Sequence, residues 1–337
     1  MTKNFWLNLK KRPFFALAPM LDVTDSAFRA MFAKYGKPDV LWTEFVSADG
    51  LCSRGKEKLL PMLKFSENER PIVAQIFGSN PETIYTASAL IAELGFDGLD
   101  INMGCPDRSV LKQGAGADLI RNPEKARAII RAALDGVAWT GKKIPVSVKT
   151  RTGFNKVELE NWIPELLKED ISALTIHART KKEMSLVPAR WADVKRVVEI
   201  VREHNLKNNK KVLVIGNGDV VDTNDGQKKF EETGVDGIMI GRGAFGKPWL
   251  FNPDPKQHEK SVNEKLEIML EHTKIFEETM KGVKNFAVMK KHFKAYVNGF
   301  PGASELRTKL METDSYSEVE KITMDFLLDF KNSDGRI

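Results

Sequence analysis

Short apolar runs alternate with longer amphipathic segments up to about residue 245 of the chain. Eight runs are nearly continuous in apolar character, as expected of parallel strands buried on both faces. They are Phe14–Ala18, Val40–Thr43, Ile72–Phe77, Gly98–Ile101, Ile144–Val148, Ala173–Ile176, Val212–Ile215 and Gly237–Ile240. The segments between them repeat apolar residues at helical spacing, which predicts helices. These segments are Ser26–Lys34, Pro81–Leu94, Pro123–Leu134, Trp162–Lys168, Trp191–Glu203 and Asp225–Thr233.

Eight strand–helix alternations of this length predict a (β/α)₈ TIM barrel; the alternative, an open doubly wound sheet, usually has fewer strands. After Pro248 the chain shows helical periodicity without strand runs, for example over Leu266–Lys281 and Asn285–Asn298. The segment Phe251–Gln257 contains two prolines and is a candidate linker. We therefore expect a barrel over residues 1–250 and a smaller C-terminal helical domain over residues 251–337.

Composition narrows the class of protein only slightly. The formal net charge is +6 and the sequence pI is about 9.0, which weakly favours an anionic partner such as nucleic acid, although many proteins are mildly basic. Two cysteines do not make a disulfide framework. No stretch approaches the roughly 20 apolar residues that a membrane span needs, and no signal peptide begins the chain. We expect a cytoplasmic monomer that does not associate with membranes.

Each predicted strand is followed by a polar group, a sulfur atom or a glycine turn. Function in such barrels gathers at the C-terminal ends of the strands, so these residues are candidates for one site. They are Pro19, Met20, Glu44, Gln75, Asn102, Cys105, Lys149, Arg151, His177, Arg179, Asn217, Gly218, Asp219, Gly241 and Arg242. A chain without a site there would place mostly ordinary turn residues at these positions.

Two glycine loops predict where a phosphate would bind. Gly216-Asn217-Gly218 follows the seventh predicted strand and Gly241-Arg242-Gly243 follows the eighth. Barrels commonly bind phosphate in this pair of loops, because glycines let backbone N–H groups approach the oxygens and an arginine adds a charge-assisted bond. Simple turn chemistry would explain one loop, but the pair favours a ligand that carries phosphate.

Gln75, Lys149 and His177 end the third, fifth and sixth predicted strands. An amide, a cation and an imidazole around one barrel mouth suit a polar heteroaromatic ring such as flavin. Individually, a buried structural histidine or a salt-bridged lysine remains an alternative for His177 and Lys149.

Cys105 lies between Gly104 and Pro106, in a loop over the predicted mouth. A thiol with its ordinary pKa near 8.5 is mostly protonated at neutral pH and can act as a general acid. The alternative is a buried structural cysteine, which suits Cys52 better. No second cysteine or histidine stands at ligand spacing, so we do not expect a metal site.

The stretch from Lys281 to Leu310 is locally basic. It carries Lys281, Lys284, Lys290, Lys291, Lys294, Arg307 and Lys309 against the single acidic residue Glu305. His292, Phe293 and Tyr296 lie among these cations, a combination that suits a phosphate backbone and exposed bases. A solvated helix face is an equally good interpretation of this stretch.

These residues together resemble the dihydrouridine synthase family over roughly residues 13–310. Each matching motif is short, but their order and spacing are specific. The motifs are Leu17-Ala18-Pro19-Met20 with Asp22, Thr24, Asp25 and Arg29; Thr43-Glu44; Gln75-Ile76-Phe77-Gly78; Asp100-Ile101-Asn102-Met103-Gly104-Cys105-Pro106; Gly114-Ala115-Gly116-Ala117; Val148-Lys149-Thr150-Arg151-Thr152-Gly153; His177-Ala178-Arg179-Thr180; Gly216-Asn217-Gly218-Asp219; and Gly241-Arg242-Gly243.

The resemblance implies bound FMN, NADPH as the hydride source and a uridine of tRNA as substrate. It implies cofactor contacts from Pro19, Met20, Gln75, Lys149, His177, Asn217, Gly218, Asp219, Gly241 and Arg242. Cys105 matches the family's proton donor to uracil C5, while flavin N5 gives hydride to C6. Substrate contacts are implied for Glu44, Asn102, Arg151 and Arg179 at the mouth and, in a tRNA-binding helical domain, for Lys290, Lys291 and Lys294.

One segment departs from the family pattern, and two other functions remain open. Many members carry Arg-x-x-x-Tyr-x-Gly before the tryptophan that corresponds to Trp191, whereas residues 181–190 lack the tyrosine and the glycine. The departure leaves open which uridine is reduced. A flavin barrel of the dihydroorotate or dihydropyrimidine dehydrogenase kind would act on a free pyrimidine, and the basic tail argues against it. A non-catalytic RNA-binding protein on a decayed barrel is the third possibility.

Overall fold

The computed structural model describes residues 4–333 of the chain, with side chains through residue 330. Its strands form one eight-stranded sheet in which all paired strands run parallel. The strands are β1 Phe14–Leu17, β2 Leu41–Ser47, β3 Ile72–Phe77, β4 Gly98–Met103, β5 Val146–Arg151, β6 Ala173–His177, β7 Leu213–Asn217 and β8 Gly237–Ile240. β1 pairs with β8, and a bridge between Ala16 and Val40 joins it to the chain entering β2. The sheet therefore closes, and the predicted (β/α)₈ barrel is confirmed.

Helices alternate with the strands and continue after β8. The described residues form α1 Ser26–Tyr35, α2 Ala48–Leu51, α3 Lys56–Leu59, α4 Pro81–Glu93, α5 Arg108–Lys112, α6 Pro123–Trp139, α7 Leu159–Leu167, α8 Trp191–Asn208, α9 Thr223–Thr233, α10 Val262–Met280, α11 Val288–Tyr296, α12 Ala303–Leu310 and α13 Tyr316–Ser333. The predicted proline starts of α4 and α6 are confirmed, each after a capping asparagine. α9 begins two residues before its predicted start, because the Asp222 side chain caps it by accepting the Asp225 N–H.

Several strands extend beyond their apolar runs. β4 continues to Met103, β5 to Arg151, β6 to His177 and β7 to Asn217. The pairings Asn102–Lys149 and His177–Asn217 belong to the parallel ladders. Backbone pairing does not depend on side-chain polarity, so the hydropathy pattern ended these strands too early. The polar side chains therefore stand on the strands themselves, which holds them more rigidly than loops would.

Aromatic residues fill the barrel below the strand ends that carry these polar groups. Trp6, Phe14 and Trp42 are fully buried, and the Trp6 ring lies 5.6 Å from Trp42 and 5.8 Å from Phe14 between centroids. Every residue of β3 and β4 is buried, as parallel strands covered on both faces require.

The chain divides into two compact units. The first contains the residues up to Leu21 and Pro38–Gly243, and the second contains Asp22–Lys37 and the residues from Ala244 onward. The second unit thus includes α1, whose Tyr35 hydroxyl donates to Glu271 of α10 at 2.5 Å and whose Lys34 pairs with the same carboxylate at 2.6 Å.

The sequence had placed the boundary at residue 250 and α1 with the barrel. Packing divides the chain at Gly243 instead and joins α1 to the C-terminal helices, because Ala27 and Met31 share one buried apolar cluster with Leu266 and Met269. Helical periodicity predicted that α1 has an apolar face but could not predict what covers it. Within residues 4–333, no helix is both long and apolar enough to cross a membrane.

Candidate active site

A cavity of about 650 Å³ opens at the C-terminal ends of the barrel strands, within the first unit. Fourteen of the fifteen strand-end residues that the sequence nominated in the barrel line it. They are Pro19, Met20, Gln75, Asn102, Cys105, Lys149, Arg151, His177, Arg179, Asn217, Gly218, Asp219, Gly241 and Arg242. The barrel therefore gathers into one wall residues that are up to 223 positions apart in the chain (Pro19 to Arg242).

Glu44 is the nominated residue that does not line this cavity. Its side chain is fully buried, and the neighbouring Phe45 lines the cavity instead. The register of the β2–β3 ladder shifts between Trp42 and Phe45. Such an irregularity changes which face a strand residue occupies, which the sequence alone did not reveal.

A chain of buried hydrogen bonds runs under the cavity wall, and the sequence reasoning missed its first member, Asp100. Gln75 Nε2 donates to Asp100 Oδ2 at 2.6 Å, and Asn102 Nδ2 donates to Gln75 Oε1 at 3.0 Å. Ser147 Oγ donates to the other Asp100 oxygen at 2.5 Å. Burial raises the pKa of Asp100 to about 6, although the bonds from Gln75 and Ser147 favour its charged form. These hydrogen bonds fix the orientation of the Gln75 and Asn102 amides, because the nitrogen and the oxygen of Gln75 each have a partner.

Asn102 also holds the loop that carries Cys105. Asn102 Oδ1 accepts the backbone N–H of Cys105 at 2.9 Å and that of Gly104 at 3.1 Å. On the other side, Gly116 has φ +60°, and a Cβ there would lie 2.8 Å from the Cys105 carbonyl oxygen. Position 116 therefore requires glycine for both its backbone and its contact. The loop is fixed from two directions.

The Cys105 thiol is partly buried in the cavity wall. Burial raises its pKa above the usual range, and the charge of Asp107 acts in the same direction. The cations Arg151 and Lys149 lower the pKa, but burial is the largest effect. The thiol is therefore protonated at neutral pH, the state that a proton donor needs.

Burial lowers the pKa of both Lys149 and His177, but it leaves them in different charge states at neutral pH. Burial, together with the charge of Arg151, lowers the pKa of Lys149 to about 8, so the ammonium is charged at neutral pH. Lys149 Nζ donates to Asn217 Oδ1 at 3.1 Å, and Asn217 Nδ2 donates to the Met239 carbonyl at 2.9 Å. Burial lowers the pKa of His177 far below its usual range, and nearby cations, led by Arg151, lower it further. The imidazole is therefore neutral.

His177 has a defined tautomer because of its neighbour. Arg179 Nη1 lies 3.3 Å from His177 Nε2. A guanidinium only donates hydrogen bonds, so Nε2 accepts and Nδ1 carries the ring proton. His177 can thus offer one N–H donor without adding a charge to the cavity.

The two buried arginines of the wall are held by other groups of the protein. Arg151 Nε donates to the Gly104 carbonyl at 2.7 Å, and its Nη1 donates to those of Thr180 and Met184 at 3.1 and 3.0 Å. Arg179 Nε donates to the Val187 carbonyl at 2.6 Å, and the same side chain forms an ion pair with Asp219. Both side chains therefore shape the rim as well as line the cavity.

The loops after β7 and β8 contribute glycine backbone to the cavity. Gly218 has φ +137°, a backbone conformation that residues other than glycine rarely adopt. A Cβ at position 243 would lie 2.5 Å from the Val220 carbonyl oxygen, so this position also requires glycine. Arg242 Nη2 donates to Asp219 Oδ1 at 2.7 Å, so the two loops are also joined by charge. The arrangement leaves backbone exposed beside a cation, which is the composition of a phosphate site.

The basic segment of the second unit only partly matches its prediction. Lys291 and Lys294 are exposed on α11, and Lys290 lies 3.5 Å from the exposed Asp314. His292, Phe293 and Tyr296 are almost fully buried, so these rings are not available for the contact with exposed bases that the sequence had suggested.

Helical geometry explains this correction. Met289, His292, Phe293 and Tyr296 recur at intervals of three and four residues and therefore share the buried face of α11, while Lys291 and Lys294 fall on the other face. Among the described residues, no group of three or more His, Cys, Asp and Glu side chains is placed to hold a metal ion.

Fold and cavity together define a TIM-barrel protein with a cavity lined by polar and charged side chains at the C-terminal strand ends. The sequence model of dihydrouridine synthase matches residues 16–332. The chain is 44% identical over 332 residues to the probable tRNA-dihydrouridine synthase 2 of Bacillus subtilis, covering 97% of each chain. It is 40% identical over 329 residues to the probable tRNA-dihydrouridine synthase of Staphylococcus aureus strain MRSA252, covering 97% of this chain and 96% of the relative. The chain belongs to the dihydrouridine synthase family.

Two solved structures share the fold at low sequence identity. Histamine dehydrogenase from Rhizobium sp. 4-9 superposes with a TM-score of 0.52 at 12% identity, covering 77% of this chain and 48% of that one. The 6-hydroxypseudooxynicotine amine oxidase of Pseudomonas geniculata N1 gives 0.51 at 13% identity, covering 71% and 46%. The chain thus spans about half the length of these proteins, and the likeness concerns the fold alone.

Proposed function

We propose that this protein is an FMN-dependent oxidoreductase that reduces the 5,6-double bond of a uridine in tRNA with NADPH. One observation carries the proposal: a protonated thiol, Cys105, is held by Asn102 in the wall of a cavity that also contains Gln75, Lys149 and His177. The names of the relatives, tRNA-dihydrouridine synthases at 40–44% identity, favour tRNA over a free pyrimidine as the substrate.

The cavity residues fit FMN in size and in chemistry. A volume of about 650 Å³ lies in the range of about 300–1,000 Å³ that cofactor pockets occupy. Gly218, Gly241 and Arg242, which line the cavity, would hold the phosphate, because glycines let backbone N–H groups approach its oxygens and the guanidinium adds a charge-assisted bond. Gln75, Lys149 and Asn217 would meet the polar edge of the ring, where the Lys149 charge would favour the reduced cofactor. FMN, when bound, would supply the hydride that uracil C6 accepts.

The protein's own residues would deliver the proton and orient the base. Cys105 Sγ–H donates its proton to uracil C5, and the raised pKa of the thiol keeps that proton available at neutral pH. Asn102 and Arg151 hold the loop of Cys105 through Gly104: Asn102 accepts the Gly104 N–H, and Arg151 donates to the Gly104 carbonyl. A stacked base cannot reach such a cavity, so the uridine must be flipped out of the tRNA.

We propose that the second unit contributes to tRNA binding through Lys290, Lys291 and Lys294. Two of these lysines are exposed, and the partner of the third is an exposed carboxylate, which costs little to displace. Their contribution would be mainly to the phosphate backbone and hence salt-dependent.

Turnover with defined substrates tests the proposal. The purified protein should show flavin absorbance, and with NADPH it should form dihydrouridine in unmodified tRNA but leave orotate and free uracil unreduced. Absence of flavin, or reduction of a free pyrimidine in preference to tRNA, would refute the proposal. Mapping dihydrouridine in tRNA from cells that lack the protein identifies the position reduced.

A further inference from the structure

Exposed apolar side chains concentrate around the mouth of the cavity. In the described part of the first unit, ten large apolar side chains are exposed, and six of them lie in loops that follow the strand ends. These six are Leu21, Val157, Met184, Leu186, Val187 and Val221. Leu186 is the most exposed of the six, at 84%, and it directly follows Met184 and Ser185, which line the cavity.

The loop that carries Leu186 is held in place by buried charged groups. As described above, Arg151 donates to the Met184 carbonyl and Arg179 to the Val187 carbonyl, on either side of Leu186. Glu183 accepts from Arg190 at 3.0 Å, which closes the loop. Arg151 and Arg179 are only 6% and 2% exposed, so these anchors are shielded from water. Leu186 is therefore presented to solvent from a fixed support.

Cations lie in the same loop and at the Phe154 ring, which the loop contacts. Lys182 is exposed, and its backbone N–H donates to the Phe154 carbonyl at 2.9 Å. Arg121 and Lys181 lie 4.6 and 5.0 Å from the Phe154 ring centroid. A loop that carries both an apolar tip and positive charge at the mouth of a nucleotide-sized cavity fits a polymer with flat apolar faces and negative charges, which describes RNA.

We infer that Leu186 packs against the nucleobase next to the reduced uridine and supports the stack that the flipped uridine has left. This inference rests on the proposed function for its substrate. Apolar side chains are used in this way where proteins open a base step, because they replace part of the lost stacking contact. Leu186 is thus a positioning residue for tRNA, and it does not touch the reacting atoms.

Leu206 provides a matched control for the truncation of Leu186. It is 87% exposed on α8, outside the cavity lining, so truncating it removes the same atoms from an equally exposed position. Leu186→Ala should lower kcat/KM for unmodified tRNA about tenfold and leave NADPH-driven flavin reduction unchanged. Leu206→Ala should leave both within about twofold of the unsubstituted protein.

A second measurement reports the contact without turnover. Leu186→Trp adds tryptophan fluorescence to that of the unsubstituted protein, and tRNA should quench this added fluorescence through stacking. The fluorescence added by Leu206→Trp should not be quenched. Equal tRNA kinetics for the two alanine variants, or equal quenching of the two tryptophan variants, would overturn the inference. A dimer that dissociates on Leu186→Ala in sedimentation would also overturn it, because the tip would then belong to a second copy. If the unsubstituted protein forms no dihydrouridine but the Leu186→Trp quenching is present, the proposed function fails while the base contact stands.

Discussion

Asn102 accepts the backbone N–H of Cys105 at 2.9 Å, and its amide nitrogen donates to Gln75 at 3.0 Å. One side chain, only 6% exposed, therefore ties the thiol loop to the interior of the barrel. Because the amide uses its oxygen for the loop and its nitrogen for Gln75, neither contact can be lost without loosening the other. The position of the thiol thus depends on a residue of β4 that precedes it by three positions.

Removing the Asn102 amide should misplace the proton donor. Asn102→Ala leaves the N–H groups of Gly104 and Cys105 without their acceptor, so we expect dihydrouridine formation to fall roughly 100-fold, as small misplacements of reacting groups do. Flavin absorbance should remain. The exposed Asn155→Ala is the control. A loss smaller than about threefold would show that the loop holds its position without Asn102.

Replacing the thiol should separate the two halves of the reaction. Cys105→Ala should retain bound flavin and NADPH consumption but lose dihydrouridine formation by roughly 10²- to 10⁴-fold, the usual contribution of a general acid. The interpretation of Cys52 as a buried structural cysteine was wrong, because its side chain is exposed, outside the cavity. Cys52→Ala should therefore behave as the unsubstituted protein. Full product yield from Cys105→Ala on unmodified tRNA would exclude the acid role.

The charge of Lys149 should appear in the pH dependence of flavin reduction. Its pKa is lowered to about 8, so the ammonium is charged below that pH and becomes neutral as the pH rises through it. Loss of the cation removes stabilisation of the reduced cofactor, so the rate of reduction by NADPH should fall several-fold across this pH. Stopped-flow absorbance measures that rate.

Two variants at position 149 separate this charge effect from other titrations. Lys149→Gln should give a low rate with no fall near pH 8. Lys149→Arg should retain the charge and move the fall to higher pH, since a guanidinium keeps its proton more strongly. An unchanged fall near pH 8 in Lys149→Gln would assign it to another group.

The lysines of α11 should appear in the salt dependence of tRNA binding. Replacing Lys290, Lys291 and Lys294 by glutamine should weaken binding and reduce the slope of log K against log salt by about two. The exposed Lys142, Lys143 and Lys207 of the first unit form a control triple. Fluorescence anisotropy at several salt concentrations measures both slopes. Equal slopes for the two triple variants would remove the α11 face from the tRNA footprint.

The alternation of apolar runs and helical segments was sufficient to predict the barrel and most of the site. Parallel strands place their C-terminal ends at one rim, so residues as distant as Gln75 and Arg242 could be assigned to one cavity from strand order alone. Glu44 is the exception: it does not line the cavity, its neighbour Phe45 does, and the β2–β3 register shifts just before Phe45. The prediction also failed for His292 and Phe293, whose polarity and aromaticity suggested a surface although helical spacing places them in the core.

The sequence by itself determined the barrel, the glycine loops and the place of Cys105 at the rim, because these follow from periodicity and strand order, which are local properties. Tertiary structure alone decided that Asp100 orients Gln75, that Arg151 and Arg179 support the Leu186 loop, and that α1 packs with the C-terminal helices. Each of these depends on which groups meet after the sheet has closed. A buried polar group must take whichever partner the closed fold brings within hydrogen-bonding distance, and no local pattern specifies that partner.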